Sequence, residues 1–181
     1  MLAVVVVALV GAPAAVHAGP RAPGLTARFG FAGGVAAYTS DCAGCDTGPS
    51  LGLTLRGGWA FGHDARVAFG LEGGGFESWH DAGRRVHGAA GVFAALWPSD
   101  RLSLGLSIGS TVSEATSAEG TEETVLGAGV AAEGSVGYEL VRWSSATLVL
   151  RAGVGLGGYD DGDLAHLSLG LVVDSFAIAG S

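Results

Sequence analysis

The chain has no lysine, asparagine or glutamine, and only 14% of its 181 residues are charged. Its cations are all arginine, nine against seventeen acids, for a net charge of -8. No basic stripe exists to release counterions from phosphates, so nucleic acid is excluded as a partner. Disorder is excluded as well, because 49% of the residues are hydrophobic, the reverse of a composition that stays unfolded. Cysteine is nearly absent: Cys42 and Cys45 are the only two, and Asp46 follows where a haem attachment needs histidine. After the first 18 residues no apolar run approaches the length of a transmembrane helix. No segment keeps a 3.6-residue apolar period either, which disfavours a buried α/β core. Gly73-Gly74-Gly75 has no following lysine or helix and makes no phosphate cradle.

What the chain does have is alternation. In Leu102 to Val112, Leu102, Leu104, Leu106, Ile108 and Val112 fall on one face. Ser103, Gly105, Ser107, Gly109 and Thr111 fall on the other. A period of two is a strand with a different environment on each side. The bulky face is aliphatic and the opposite face is small and mildly polar, whereas a soluble sheet carries long charged side chains on its wet side. Leu51 to Leu55, Leu148 to Leu156 and Leu167 to Val173 repeat the design. Such segments, about ten residues long and separated by turn residues, are the signature of a transmembrane β-barrel. The 33 glycines show no three-residue period, which rules out collagen. They recur inside strand patterns, where a missing side chain makes room in a narrow space.

Eight strands are expected, at about 25–38, 50–61, 66–77, 85–96, 102–112, 125–138, 147–158 and 164–176. The fold class is thus all-β: an eight-stranded antiparallel up-and-down transmembrane barrel. Residues 1–18 are apolar and end in Val16-His17-Ala18, which reads as a signal peptide, although no arginine precedes the apolar core. Residues 19–181 then form the barrel. Tight connections after the second, fourth and sixth strands contrast with longer polar ones after the first and fifth, as in outer-membrane barrels. With the N-terminus periplasmic, the polar loops face outward. Phe29, Trp59, Phe61, Trp97 and Trp143 lie toward the tight-turn end and Tyr38, Phe76, Trp79 and Tyr159 toward the loop end. They are expected to form the two aromatic girdles of the membrane interfaces.

Closing the second hairpin around Asp64 places Arg56 opposite Glu72 on the small-residue face, with Trp59 opposite Phe69 on the oily one. A register that matches apolar faces likewise sets Glu133 opposite Arg151, Val136 opposite Leu148 and Val130 opposite Val154. Arg28 and Asp174 flank the closure, and Phe93 is expected to fill space opposite Gly105. Opposite charges across strands attract, and inside a narrow barrel each charge needs its partner. On periodicity, girdles, loop asymmetry and these lumen charges, residues 25 to 176 resemble the small eight-stranded outer-membrane barrels of the outer membrane protein A and X type. The chain departs from them after Phe176, where Ala177 to Ser181 stands in place of a terminal aromatic. The resemblance implies an outer-membrane location, lipid and the barrel-assembly machinery as partners, a monomer, and no cofactor.

Candidate chemistry is sparse. Cys42 and Cys45, in an outward loop of an exported chain, are expected to form a local disulfide. His166 and Ser168 have the His-x-Ser spacing of lipid-deacylating barrels but fall on the inner face. His80-Asp81 has too few acidic partners for a barrel protease. The leading function is therefore a non-enzymatic barrel with a structural or surface-interaction role and no open pore. The alternatives are a barrel enzyme acting on lipid or peptides, and a soluble lipocalin-like barrel with its aliphatic face turned inward.

Overall fold

A computed structural model describes residues 23–176, apart from 41–43, 63, 82, 118–122, 144 and 161. Its eight strands are β1 (Gly24–Ser40), β2 (Gly44–Phe61), β3 (Val67–His80), β4 (Gly83–Leu96), β5 (Leu102–Ser117), β6 (Glu123–Arg142), β7 (Ala146–Tyr159) and β8 (Gly162–Phe176). Each pairs antiparallel with the next, and β8 pairs with β1, so the sheet closes on itself in sequence order. Closure satisfies the backbone hydrogen bonds without leaving an edge, the condition a sheet must meet to cross hydrocarbon.

The side chains divide as the alternation predicts, and the oily face points out. Leu53, Leu71, Leu106, Ile108, Val130, Leu156, Leu167 and Leu169 are all exposed on the outer wall. Arg28, Arg56, Phe93, Arg151 and Asp174 are buried inside. A soluble ligand-binding barrel needs the opposite arrangement, so the lipocalin reading falls.

Three expectations are corrected. The strands run further toward the loop end than predicted: β2 begins at Gly44 and β6 at Glu123. Most of the expected first loop is thus strand, with Cys45 opposite Thr39; polar residues there extend the hairpin beyond the apolar pattern that marks a strand in sequence. Cys42, and with it the expected disulfide, lies outside the described residues.

The second correction is register. Glu133 faces Gly155 and Arg151 faces Gly137, while Val136 faces Ala152 and Val130 faces Gly158. The predicted pairing is therefore slipped by four residues. Only an odd slip turns side chains to the other face, so matching apolar faces cannot detect an even one. A bulge between Glu139 and Val141 helps set the true register. A second bulge, between Ser113 and Glu114, uses Gly127 at φ +101°, a conformation glycine adopts without strain. The second hairpin is as predicted, with Arg56 opposite Glu72 and Trp59 opposite Phe69.

Third, Phe93 faces Ser107, not Gly105. Its room comes from Gly58 and Gly70, where an added Cβ would lie 2.9 and 2.8 Å from the ring.

Candidate functional site

The interior is the natural place to look for a site, and charge dominates its middle. Arg28 and Asp174 are opposed across the β1–β8 seam. Arg28 donates from Nη2 to Asp174 Oδ2 at 2.6 Å and from Nε to Oδ1. Arg56 donates from Nε to Glu72 Oε2 at 2.5 Å, and Ser107 Oγ donates to Glu72 Oε1 at 3.2 Å. The Arg56 guanidinium also lies 4.1 Å above the Phe93 ring, a cation–π contact. Arg151 donates from Nη2 to Glu133 Oε1 although the two are not directly opposed. Its long side chain spans the register offset along the lumen wall. Three arginines thus meet three carboxylates.

Both ends of the lumen narrow. At the turn end Ala60, Ala65, Ala68, Phe93, Ala95 and Trp97 form a buried cluster. Trp97 N–H donates to Arg66 O at 2.8 Å, anchoring the plug to the neighbouring turn. At the loop end Ala36, Tyr38 and Leu164 pack with Phe76 and Tyr159. Phe76 is stacked between His166, at 4.1 Å between centroids, and His87, at 4.6 Å. Arg85 lies 3.9 Å over Tyr38. Between the plug and this cluster is a cavity of about 120 Å³.

These positions correct four of the nine girdle aromatics, Phe76 among them, stacked inside the lumen. Trp59 and Phe61 are exposed on the outer wall and Trp143 in the turn after β6, but Trp97 is 3% and Tyr38 2% exposed. Tyr159 is turned inward too, its hydroxyl 3.0 Å from Thr111 Oγ1. The reason is parity: Leu96 points out, so Trp97 must point in, and Tyr38 shares the inward set of Arg28 and Ala36. Lying near a strand end is not enough to put a ring in the interface.

The enzyme candidates are accounted for by ordinary contacts. His166 Nε2 is 3.0 Å from Ser50 Oγ, and its ring is stacked on Phe76 inside the lumen. His80 sits 2.8 Å from Ser78 Oγ and 3.3 Å from Asp46. No cluster of three or more potential metal ligands occurs among the described residues. Thr111 is expected on the small face and Phe76 in a girdle, whereas the sequence assigns His87 no role. Phe76 and His87 are register partners on β3 and β4, but the meeting of His87 and Thr111 with Tyr159, on β7, crosses non-neighbouring strands and is not readable from parity.

No family model and no curated protein matches the chain. Solved structures do. Ail, the attachment invasion locus protein of Yersinia pestis, is 14% identical with a TM-score of 0.57, over 84% of this chain and 99% of that one. Neisserial surface protein A is 13% identical at 0.57, over 85% and 99%. The N-terminal β-barrel domain of Pseudomonas aeruginosa OprF is 12% identical at 0.55, over 84% and 99%. The chain has the fold of these small outer-membrane barrels. It is a transmembrane β-barrel, with its apolar wall outward and its charges inside. Ail has also been solved with the heparin analogue sucrose octasulfate, a polyanion.

The charge of this barrel is distributed unlike that of a uniform surface. In the lumen Arg28, Arg56 and Arg151 balance Asp174, Glu72 and Glu133. At the turn end Arg66, Arg101 and Arg142 balance Asp64, Asp100 and Glu139. The loop end holds Asp46, Glu77, Asp81, Glu114, Glu123, Asp160 and Asp163 against Arg84 and Arg85. Among the described residues, therefore, the lumen and the turn end are balanced and the acidic excess lies at the loop end, seven acids against two arginines.

Proposed function

We infer that this chain is an integral outer-membrane barrel that acts through its outward rim, and that it is not an open pore or an enzyme. The observation that carries this reading is the split of charge: a neutral, internally paired lumen beneath a strongly acidic rim. A cationic surface or polycation is attracted by such a rim, whereas a polyanion of the kind bound to Ail is repelled. Outer-membrane lipid surrounds the wall, and the barrel-assembly machinery inserts it. The protein works as a monomer.

Eight strands enclose a space that side chains can fill, and here Trp97, Phe93 and the Arg56–Glu72 pair fill it. An ion passing through has to separate charges paired in a confined interior, which is costly. Purified protein in planar bilayers is expected to show no steady single-channel conductance. A reproducible open state of large conductance defeats this part of the reading. For the rim, a polylysine peptide should bind the barrel in vesicles and lose affinity steeply with added salt, while heparin should not bind. Heparin binding in preference to polylysine overturns the surface role proposed here.

The disulfide belongs to the same proposal, since an exported chain meets an oxidising compartment. Mass mapping of protein from intact cells under non-reducing conditions should find Cys42 joined to Cys45. Two thiols open to alkylation remove that element.

A further inference from the structure

Among the polar atoms on the lining of the lumen cavity, one acceptor is fully buried and has no partner. Glu72 and Glu133 are held by arginines, Ser107 donates to Glu72, and Thr111 and Tyr159 bond each other. His87 also lines the cavity; it is 2% exposed, and its Nε2 has no hydrogen-bond partner. The other orphan on the lining, Arg151 Nε, belongs to a guanidinium already bonded to Glu133.

The hydrogen-bond chain behind His87 fixes what its Nε2 can do. Thr111 Oγ1 is 2.9 Å from the carbonyl oxygen of Gly88, which can only accept, so the threonine hydroxyl donates there. Having spent its one proton, Thr111 Oγ1 must accept from the Tyr159 hydroxyl at 3.0 Å. Tyr159 has then spent its own proton, so its oxygen accepts from His87 Nδ1 at 3.2 Å. A neutral imidazole carries one proton, and the chain places it on Nδ1. Nε2 is left as a bare lone pair beside the cavity.

We propose that this cavity is a binding site for a small, mostly apolar molecule bearing one hydrogen-bond donor, a phenol being the type, with His87 Nε2 as its acceptor. Size and lining agree. An apolar void of roughly 150 Å³ takes up a benzene ring, and this one measures about 120 Å³ between walls rich in glycine and alanine. Glu133, Thr54, His166 and Ser168 also line the cavity, but His87 Nε2 is the acceptor there that is fully buried and without a partner. The plug beneath the cavity makes it a terminus and not a passage.

The test compares 4-fluorophenol with 4-fluoroanisole, which has the same ring but no donor, on the folded full-length chain in detergent micelles. Amide shifts at inner-face Gly74, Ala89 and Gly155 should saturate with the phenol, at an affinity about ten-fold above the anisole, the worth of one buried hydrogen bond. Tyr159→Phe releases the His87 tautomer and should shrink that preference. Gly155→Leu should abolish binding by filling the cavity, since a Cβ there meets nothing closer than 3.8 Å; Ala131→Leu serves if that variant does not fold. Shifts that rise without saturating, shifts confined to outer-face amides, or equal affinity for the two probes overturn the proposal.

Discussion

Replacing Asp174 with alanine is expected to destabilise the barrel by about 3–5 kcal/mol, the cost of leaving a buried charge without its partner. Arg28 and Asp174 are the most enclosed of the lumen pairs, with side chains 5% and 4% exposed. They also sit on the β1–β8 pairing, which holds the first strand to the last. Removing the carboxylate strands a guanidinium where water does not reach it. Glu133→Ala should cost less, although it orphans Arg151 in the same way. The Glu133 side chain is 28% exposed, so its site already admits solvent. A double replacement, Arg28→Met with Asp174→Leu, removes both charges and keeps volume, and should fall close to the parent chain. Urea unfolding in lipid vesicles, followed by heat-modifiable gel migration, orders the three variants. A single Asp174→Ala that loses less than the double replacement sinks the account.

Much of this barrel is legible in its amino-acid sequence, and what is legible follows from parity. The lipid face of Leu104 to Val112, the inward Arg56 and Arg151, and the Arg56–Glu72 pairing all come from a period of two and one tight turn around Asp64. Three features lie beyond that pattern, each for a physical reason. The β6–β7 register slips by four because an even slip preserves both faces. Trp97, Tyr38 and Tyr159 turn inward because parity outranks position along the strand. The cavity and its His87–Tyr159–Thr111 chain are built from β4, β7 and β5, and β7 is not a neighbour of either in the sheet. Contacts across a lumen depend on how far the closed sheet is staggered, and local patterns say nothing of that.

Leu106→Arg is expected to cost about 2–4 kcal/mol, the range for a cation on the lipid face near the bilayer midplane. Leu106 lies in the middle of β5, opposite Ala94 on one side and Gly134 on the other, and is 61% exposed on the outer wall. Small neighbours offer no carboxylate to pair with the new charge and no cover from hydrocarbon. Ser107→Arg, one residue along, is expected to fail for another reason. Position 107 faces Phe93 and Glu133 inside, and Ser107 is bonded to Glu72, so a fourth arginine there crowds and unbalances a paired network. Bilayer thickness separates the two causes, because only the lipid-facing charge feels its depth in hydrocarbon. Refolding into vesicles of shorter acyl chains should recover part of the Leu106→Arg loss and leave the Ser107→Arg loss where it was. If both variants respond alike to thickness, or if a lipid-soluble quencher reaches a label at 107 better than one at 106, the faces have been assigned the wrong way round.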